Sequence, residues 1–388
     1  MLDGAMGQLG ALTTAEGARL AAAVRAEADL SSAALIVRLR ATWDAELVAT
    51  ALQQEKLRRR AAEKYTRASE MFFTAEGLEQ ATAEVVARHR ASQFAAWAGE
   101  PMLDLCCGIG GDAVFLAAQG PVTGVDLDAN RIACAQLNAQ VYGVTAKTHF
   151  VQADVVDTPV DRRHRVFVDP SRRENGRRRG SGWYQPSLEW CLGLGDRAAS
   201  VAIKAAPGIG RDLVPECWGL EFVAVGRALK EAVLWSPSAG MPGRLASVLP
   251  VGAQLTACPG ERVTVAAPGR YLLDPSPAVT RAELVEDLAR MLHAWQIDAQ
   301  IAFLSTDNLV PTPFGRWLRI EDSRPWNVND LRKVLRARDV GQVDIRRRGL
   351  AGDTEQIARD LKLQGQRKVT LVMTRVDDQP WAFVCVDA

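Results

Sequence analysis

DLCCGIGGD, residues 104–112, is the stretch whose reading decides the fold. An apolar run from Met102 ends in Asp104, a glycine-rich turn follows, and AVFLAA begins a helix. Gly108, Gly110 and Gly111 let the backbone turn sharply and approach a ligand closely. The helix that follows offers unpaired backbone N–H groups at its start. The spacing is GxGG, not GxGxxG. In a dinucleotide-binding turn these groups receive a pyrophosphate. Here the turn opens from a carboxylate, which repels pyrophosphate and suits a ligand carrying an ammonium group.

Three more apolar runs end in acids. VTGVDLD delivers Asp126, 22 residues after Asp104, where a carboxylate binds ribose hydroxyls. VQADVVD delivers Asp154, placed to accept from an adenine amine, and VFVDPSRR delivers Asp169 and Pro170. The four acids fall in this order within 66 residues. MLDLCC, VTGVDL, KTHFVQ, HRVFVD and SVAIKA read as strands, several apolar throughout, as strands covered on both faces are. Helical stretches between them predict right-handed crossovers and a mainly parallel, Rossmann-like α/β sheet. Such a sheet binds ligands at its carboxyl edge. Ammonium, ribose and adenine partners in one row point to S-adenosylmethionine.

The first 100 residues contain no proline and are rich in Ala, Leu, Glu and Arg, which predicts an α-helical N-terminal domain over 1–96. Thr13 with Glu16 reads as a capping box, and Leu78, Ala81 and Val85 recur at helical spacing. The sheet domain is expected over 97–265. The proline- and glycine-bearing stretch 265–280 marks a boundary. Helical patterns (Ala282 to Trp295; Val328 to Arg338) and strand patterns (Val369 to Thr374; Ala382 to Val386) then predict a small α+β domain over 266–388.

Net charge is +1, so any nucleic-acid contact must come from local patches. The seven cysteines form no CxxC pair, which speaks against a zinc site and for reduced cytosolic thiols. Cys106 and Cys107 read as small buried hydrophobes. No basic segment precedes an apolar run at the start, and no apolar stretch reaches about 18 residues. A cytoplasmic protein with no membrane span and no metal is expected. The sequence leaves oligomeric state open.

MFFTAEGLEQAT, DLCCGIGGD, GVDLDANRIACAQLNAQVYGV and VQADVVD resemble the class I S-adenosylmethionine-dependent methyltransferases, and in particular the trimethylguanosine synthase type of RNA cap guanine-N2 methyltransferase. The whole chain is similar to a bacterial family that couples this core to a C-terminal THUMP-like domain and carries a DP-small-RR motif, here Asp169 to Arg173. The resemblance implies a cofactor shell of Asp104, Gly108, Gly110, Asp126 and Asp154. Cys106, Leu127 and Val155 stand beside these and join the expected contacts, and the Phe73–Thr74 turn is expected to close over the cofactor. One departure stands out. Amino-methyltransferases of this type carry a (D/N/S)-P-P-aromatic loop, whereas here Ser171 replaces the second proline and Arg172 the aromatic. Trp183 and Tyr184 follow and offer a stacking surface, or pack the loop onto the core.

A sulfonium methyl is already electrophilic, so the protein mainly has to align a nucleophile with it. An exocyclic amine gains from acceptors on its N–H groups. Asp169 and the Pro170 carbonyl are the expected acceptors, with Ser171 in support. Lys204, at the end of the next strand, is expected to meet substrate or phosphate. Residues 161–180 hold eight Arg against three acids beside Asp169. Arg172 and Arg173, with Arg177, Arg178 and Arg179, are spaced to follow a phosphate chain and can stack on unpaired bases. Residues 332–348 hold seven Lys or Arg against two acids. THUMP domains bind RNA in tRNA-modifying enzymes, so the expected substrate is a base of RNA, tRNA or rRNA. Methylation of a small molecule or protein, and a non-catalytic RNA-binding role with a vestigial pocket, are the competing readings.

Overall fold

The chain is described by a computed structural model covering residues 2–172 and 184–388. By internal contacts it falls into two compact units, Met1–Gly219 with Ala232–Met241, and Leu220–Glu231 with Pro242–Ala388.

In the first unit, helices α1 (Leu2–Ala11), α2 (Ala15–Arg25), α3 (Ala33–Arg40), α4 (Ala45–Ala61), α5 (Ala75–Gln80) and α6 (Glu84–Gln93) come first. Then β1 (Met102–Leu105), α7 (Ala113–Leu116), β2 (Val122–Asp126), α8 (Ala129–Val141), β3 (Thr148–Gln152) and β4 (Arg165–Val168) alternate. The short pair β5 (Ser171–Arg172) and β6 (Tyr184–Gln185), α9 (Leu188–Gly193) and β7 (Ser200–Ala205) follow. The chain then passes through β8 (Gly219–Val225) and returns in β9 (Ala228–Trp235). The sheet order in this unit is β9-β7-β4-β1-β2-β3, with β9 antiparallel to β7 and the other neighbours parallel. Leu105 faces Val125 on one side and Val168 on the other, and Asp126 faces Gln152, so the carboxyl ends lie level along one edge. The five expected parallel strands form within two residues of their expected limits.

The six N-terminal helices do not keep a core to themselves. Leu20, Val48, Leu57, Met71 and Phe73 share one hydrophobic cluster with Ile109, Phe115, Ile132, Phe167 and Trp235. Two buried amides stitch these parts together. Gln54 on α4 accepts from the Phe73 N–H at 3.0 Å and donates to the Phe73 carbonyl at 2.8 Å. Asn138 on α8 accepts from the Phe72 N–H at 2.8 Å and donates to the carbonyls of Phe72 (3.0 Å) and Ile109 (2.9 Å). Residues 72–73 are thereby held as a strap against the glycine turn.

Two local expectations need correction. The cap of α2 is Thr14, whose hydroxyl accepts from the Gly17 N–H at 3.1 Å. Thr13 is spent closing α1, its hydroxyl donating to the Gly10 carbonyl. The helical spacing through Leu78, Ala81 and Val85 breaks between α5 and α6. There Lys64 donates to the carbonyls of Leu78, Glu79 and Ala81, and the Tyr65 hydroxyl to that of Thr82, so these carbonyls are satisfied outside a helix.

In the second unit β8 pairs in parallel with β10 (Arg244–Leu249), which pairs antiparallel with β11 (Ala253–Thr256). A separate sheet follows, built from β12 (Tyr271–Pro275), β13 (Trp295–Gln296), β14 (Leu304–Thr306), β15 (Gly315–Pro325), β16 (Val340–Arg347), β17 (Arg367–Val376) and β18 (Gln379–Asp387), in the order β13-β14-β12-β15-β18-β17-β16. Helices α10 (Pro277–Arg281), α11 (Val285–Leu292), α12 (Val328–Ala337) and α13 (Thr354–Leu361) complete it. Leu331 and Leu335 of α12 and Leu361 of α13 pack on Val369, Leu371 and Val384 of the sheet. The α+β texture expected for this end of the chain is what forms.

Asn138→Ala leaves two buried carbonyls and one N–H without their partner. The expected loss is about 2–4 kcal/mol in chemical denaturation, and a loss below about 1 kcal/mol would show that the strap is held by packing alone.

Candidate functional site

The glycine turn leaves β1 through three residues with positive φ, Cys106 (63°), Gly108 (56°) and Gly110 (76°). A side chain at Gly110 would be strained by that conformation and would meet Ala135 of α8 at 3.0 Å. The Gly108 N–H donates to Asp126 Oδ2 at 2.9 Å, and the Asp128 N–H to Asp126 Oδ1 at 3.0 Å. The end of β2 thus pins the turn. Each Asp126 oxygen keeps a second lone pair, so the carboxylate can still accept from a ligand hydroxyl.

Asp104 is 1% exposed, and neither carboxylate oxygen has a hydrogen-bond partner among the described residues. Burial, and then the charges of Asp112 and Asp169, hold its carboxyl well above the usual carboxylate range, against the opposing pull of Arg90. Arg90 is engaged by Asp112 in a buried ion pair and lies over the Phe167 ring. An orphaned buried acid at the mouth of the turn is what an ammonium-bearing ligand needs. The residues therefore fit the methionine end of S-adenosylmethionine.

At the next strand ends, Leu127 is 63% exposed beside the buried Asp126. Asp154 is exposed and caps the turn Val155–Asp157 by accepting from the Val156 N–H. Val155 is buried, whereas Val156, which the sequence reading passed over, is 45% exposed beside Leu127's end of the edge. Apolar surface bared at two neighbouring strand ends can take a flat ring.

The Phe73–Thr74 turn is part of the strap. The Phe73 ring is buried against Tyr65 and faces the core, and the Thr74 hydroxyl caps α5 by accepting from the Gly77 N–H. The cysteines are thiols: burial, aided by nearby carboxylates, pushes both Cys106 and Cys107 far up.

At the end of β4 the Asp169 N–H donates to the Leu105 carbonyl, which seats Asp169 beside the turn. Its Oδ2 accepts from Lys204 at 2.7 Å, and Lys204 also donates to the Thr82 hydroxyl at 2.9 Å. Pro170 is buried. Ser171 pairs with Gln185 and its hydroxyl donates to the Gln185 carbonyl, so it serves the hairpin of β5 and β6. Arg172 pairs with Tyr184 through the backbone. The Tyr184 hydroxyl accepts from the Ala206 N–H at 3.0 Å, tying the hairpin to the residues that follow Lys204. Arg173, Trp183 and the arginines at 177–179 lie outside the described residues. Thr82, Lys64, Gln54 and Asn138 are the contributors that sequence reasoning missed. Only the NAQVYGV stretch, with Asn138 at its head, carried a visible pattern.

Among the described residues no group of three or more His, Cys, Asp or Glu could hold a metal ion, and no helix is long and apolar enough to cross a membrane.

Residues 99–241 match the RNA cap guanine-N2 methyltransferase family, residues 315–386 the THUMP-like domain family, and residues 6–61 a domain family of unknown function. Over 365 residues, 89% of this chain and 97% of the relative, the sequence is 37% identical to an uncharacterized S-adenosylmethionine-dependent methyltransferase of Mycobacterium tuberculosis. A 23S rRNA uracil-C5 methyltransferase of Shewanella oneidensis is 34% identical over 92 residues, 21% of this chain and 23% of the relative. Trimethylguanosine synthase of Schizosaccharomyces pombe is 33% identical over 78 residues, 18% of this chain and 33% of the relative. A crystal structure from Porphyromonas gingivalis W83, assigned there to the methyltransferases, superposes with a TM-score of 0.74 over 95% of this chain and 97% of its own, at 17% identity, and so shares the fold.

Asp104 couples cofactor binding to pH. Its surroundings favour the neutral carboxyl in the fold, whose stability therefore declines as pH rises above the ordinary carboxylate range. An ammonium partner requires the ionised form, so affinity for S-adenosylmethionine is expected to rise with pH, by up to about tenfold per unit below the raised value. Calorimetry between pH 5.5 and 8.5 checks this; a flat profile in the wild type would remove Asp104 as the ammonium partner.

Proposed function

The chain belongs to the S-adenosylmethionine-dependent methyltransferases, and from that premise we propose that it methylates an exocyclic amine of a base in RNA. The observation that carries this reading is the seat of Asp169 and Pro170, at the end of β4 beside the orphaned Asp104, with the arginine-rich run 172–179 next in the chain. The likeness of residues 99–241 to RNA cap guanine-N2 methyltransferases, and of residues 315–386 to THUMP-like domains, supports it. In this reading residues 266–388 dock the RNA, and Arg172, Arg173 and Trp183 meet its phosphates and bases.

Asp104 holds the ammonium of the cofactor, Asp126 its ribose hydroxyls, and Asp154 its adenine amine. The backbone at Gly108 and Gly110 lets the ligand lie close to the turn. Leu127, with Val155 and Val156, borders the adenine, and the strap through Phe73 and Thr74 walls the site. Bound there, S-adenosylmethionine would supply an electrophilic methyl group to the nitrogen, with the S–C electron pair left on sulfur. The protein's own work is orientation. The amine nitrogen is a weak nucleophile because its lone pair is delocalised into the ring. Acceptors on its N–H groups favour the pyramidal form that attacks and hold the charge that develops. Asp169 Oδ1 and the Pro170 carbonyl are the acceptors here, and the rigid Asp–Pro link fixes their direction. Lys204 donates to Asp169 and to Thr82, and in this reading it belongs to the acceptor corner.

Transfer of tritiated methyl into total RNA from a strain lacking this gene, followed by nucleoside mass spectrometry, tests the reading; label that survives ribonuclease would assign the acceptor to protein or small molecules. Asp126→Ala is expected to weaken the cofactor by about 1–3 kcal/mol in calorimetry. Asp169→Ala is expected to bind the cofactor and lose turnover, and wild-type turnover in that variant would take Asp169 out of the reaction.

A further inference from the structure

The acceptor corner contains a cation that the reaction itself does not call for. Lys204 stands one residue before the end of β7, its side chain 11% exposed, with its ammonium on Asp169 at 2.7 Å and on Thr82 at 2.9 Å. Thr82 is itself immobilised. Its carbonyl takes the Tyr65 hydroxyl at 2.7 Å, and the carbonyls of Leu78, Glu79 and Ala81 just before it are all taken by Lys64. On the other side, the Tyr184 hydroxyl holds the Ala206 N–H, two residues beyond Lys204. The ammonium is thus fixed from a wall and from its own strand before it meets the carboxylate.

A half-buried ion pair is weak evidence for stability, because desolvating both charges offsets most of their attraction. The placement has a different effect. One carboxylate oxygen is committed, the side-chain direction is set, and ammonium and carboxylate together add no net charge to a corner that must admit a neutral amine.

We infer that Lys204, anchored by Thr82, is a positioning residue for methyl transfer: by occupying Oδ2 of Asp169 it leaves Oδ1 and the Pro170 carbonyl as a fixed acceptor pair for the incoming nitrogen. The inference rests on the amine reading above. The proton displaced from the methylated nitrogen passes to water, and the ion pair is left as it was. Asp169 orients the nucleophile, and Lys204 orients Asp169.

The test uses the full chain with Lys204→Met, Lys204→Arg and Thr82→Val. With total RNA and saturating tritiated S-adenosylmethionine, Lys204→Met is expected to slow transfer about 100-fold, the scale of an ångström-sized misplacement. Its calorimetric affinity for S-adenosylmethionine should stay within about threefold of wild type. Lys204→Arg should recover at least about tenfold of the lost rate, and Thr82→Val should lose about fivefold. A Lys204→Met rate within about twofold of wild type overturns the inference, as does a parallel loss of cofactor affinity, which marks a merely structural role. A crystal structure of Lys204→Met with S-adenosylhomocysteine reads the same claim without any acceptor. The Asp169 carboxylate should turn away from its wild-type direction, and an unchanged direction overturns the claim. If wild-type protein labels no RNA, the amine reading fails while the crystal structure still decides the role of Lys204.

Discussion

A buried carboxylate with no hydrogen-bond partner among the described residues is the constraint on which the rest of the first unit depends. Asp104 sits at the end of the central strand, in a setting that favours its neutral form. A fold gains nothing in stability from such a group. The strands on both sides bring their own ends level with it. The glycine turn is tied to Asp126 by the Gly108 N–H on its carboxylate, and Asp169 to the end of β1 by its N–H on the Leu105 carbonyl.

The N-terminal helices belong to this construction. Gln54 of α4, together with Asn138 of α8, holds residues 72 and 73 beside the glycine turn, and Lys64 and Tyr65, just after α4, hold the segment that carries Thr82. The segment read from composition as helical shares its hydrophobic cluster with the sheet and supplies the Thr82 hydroxyl to Lys204. The two buried amides act as short strand neighbours, satisfying backbone groups that no sheet could reach.

The strands and their acidic ends were legible because parallel strands covered on both faces are apolar throughout, and an acid closing such a run is conspicuous. The glycines were legible because positive φ selects for them. What stayed hidden were pairings between distant positions. Lys204 and Thr82 are 122 residues apart, and Asn138 and Phe72 are 66 apart. No local period marks a threonine or an asparagine for such a task. The shift of the α2 cap from Thr13 to Thr14, and the break after Gln80, have the same origin: the deciding partner was a carbonyl whose place only the folded chain fixes.

Cys106 and Cys107 stand within the glycine turn of a chain that belongs to a family of alkylating enzymes, and sulfur is among the best nucleophiles a protein owns. Only the thiolate attacks at a useful rate. Surrounded by low-dielectric packing and a set of carboxylates, both sulfurs keep their protons far above neutral pH. Burial first, and the neighbouring carboxylates second, thus keep both sulfurs in the protonated form that resists alkylation.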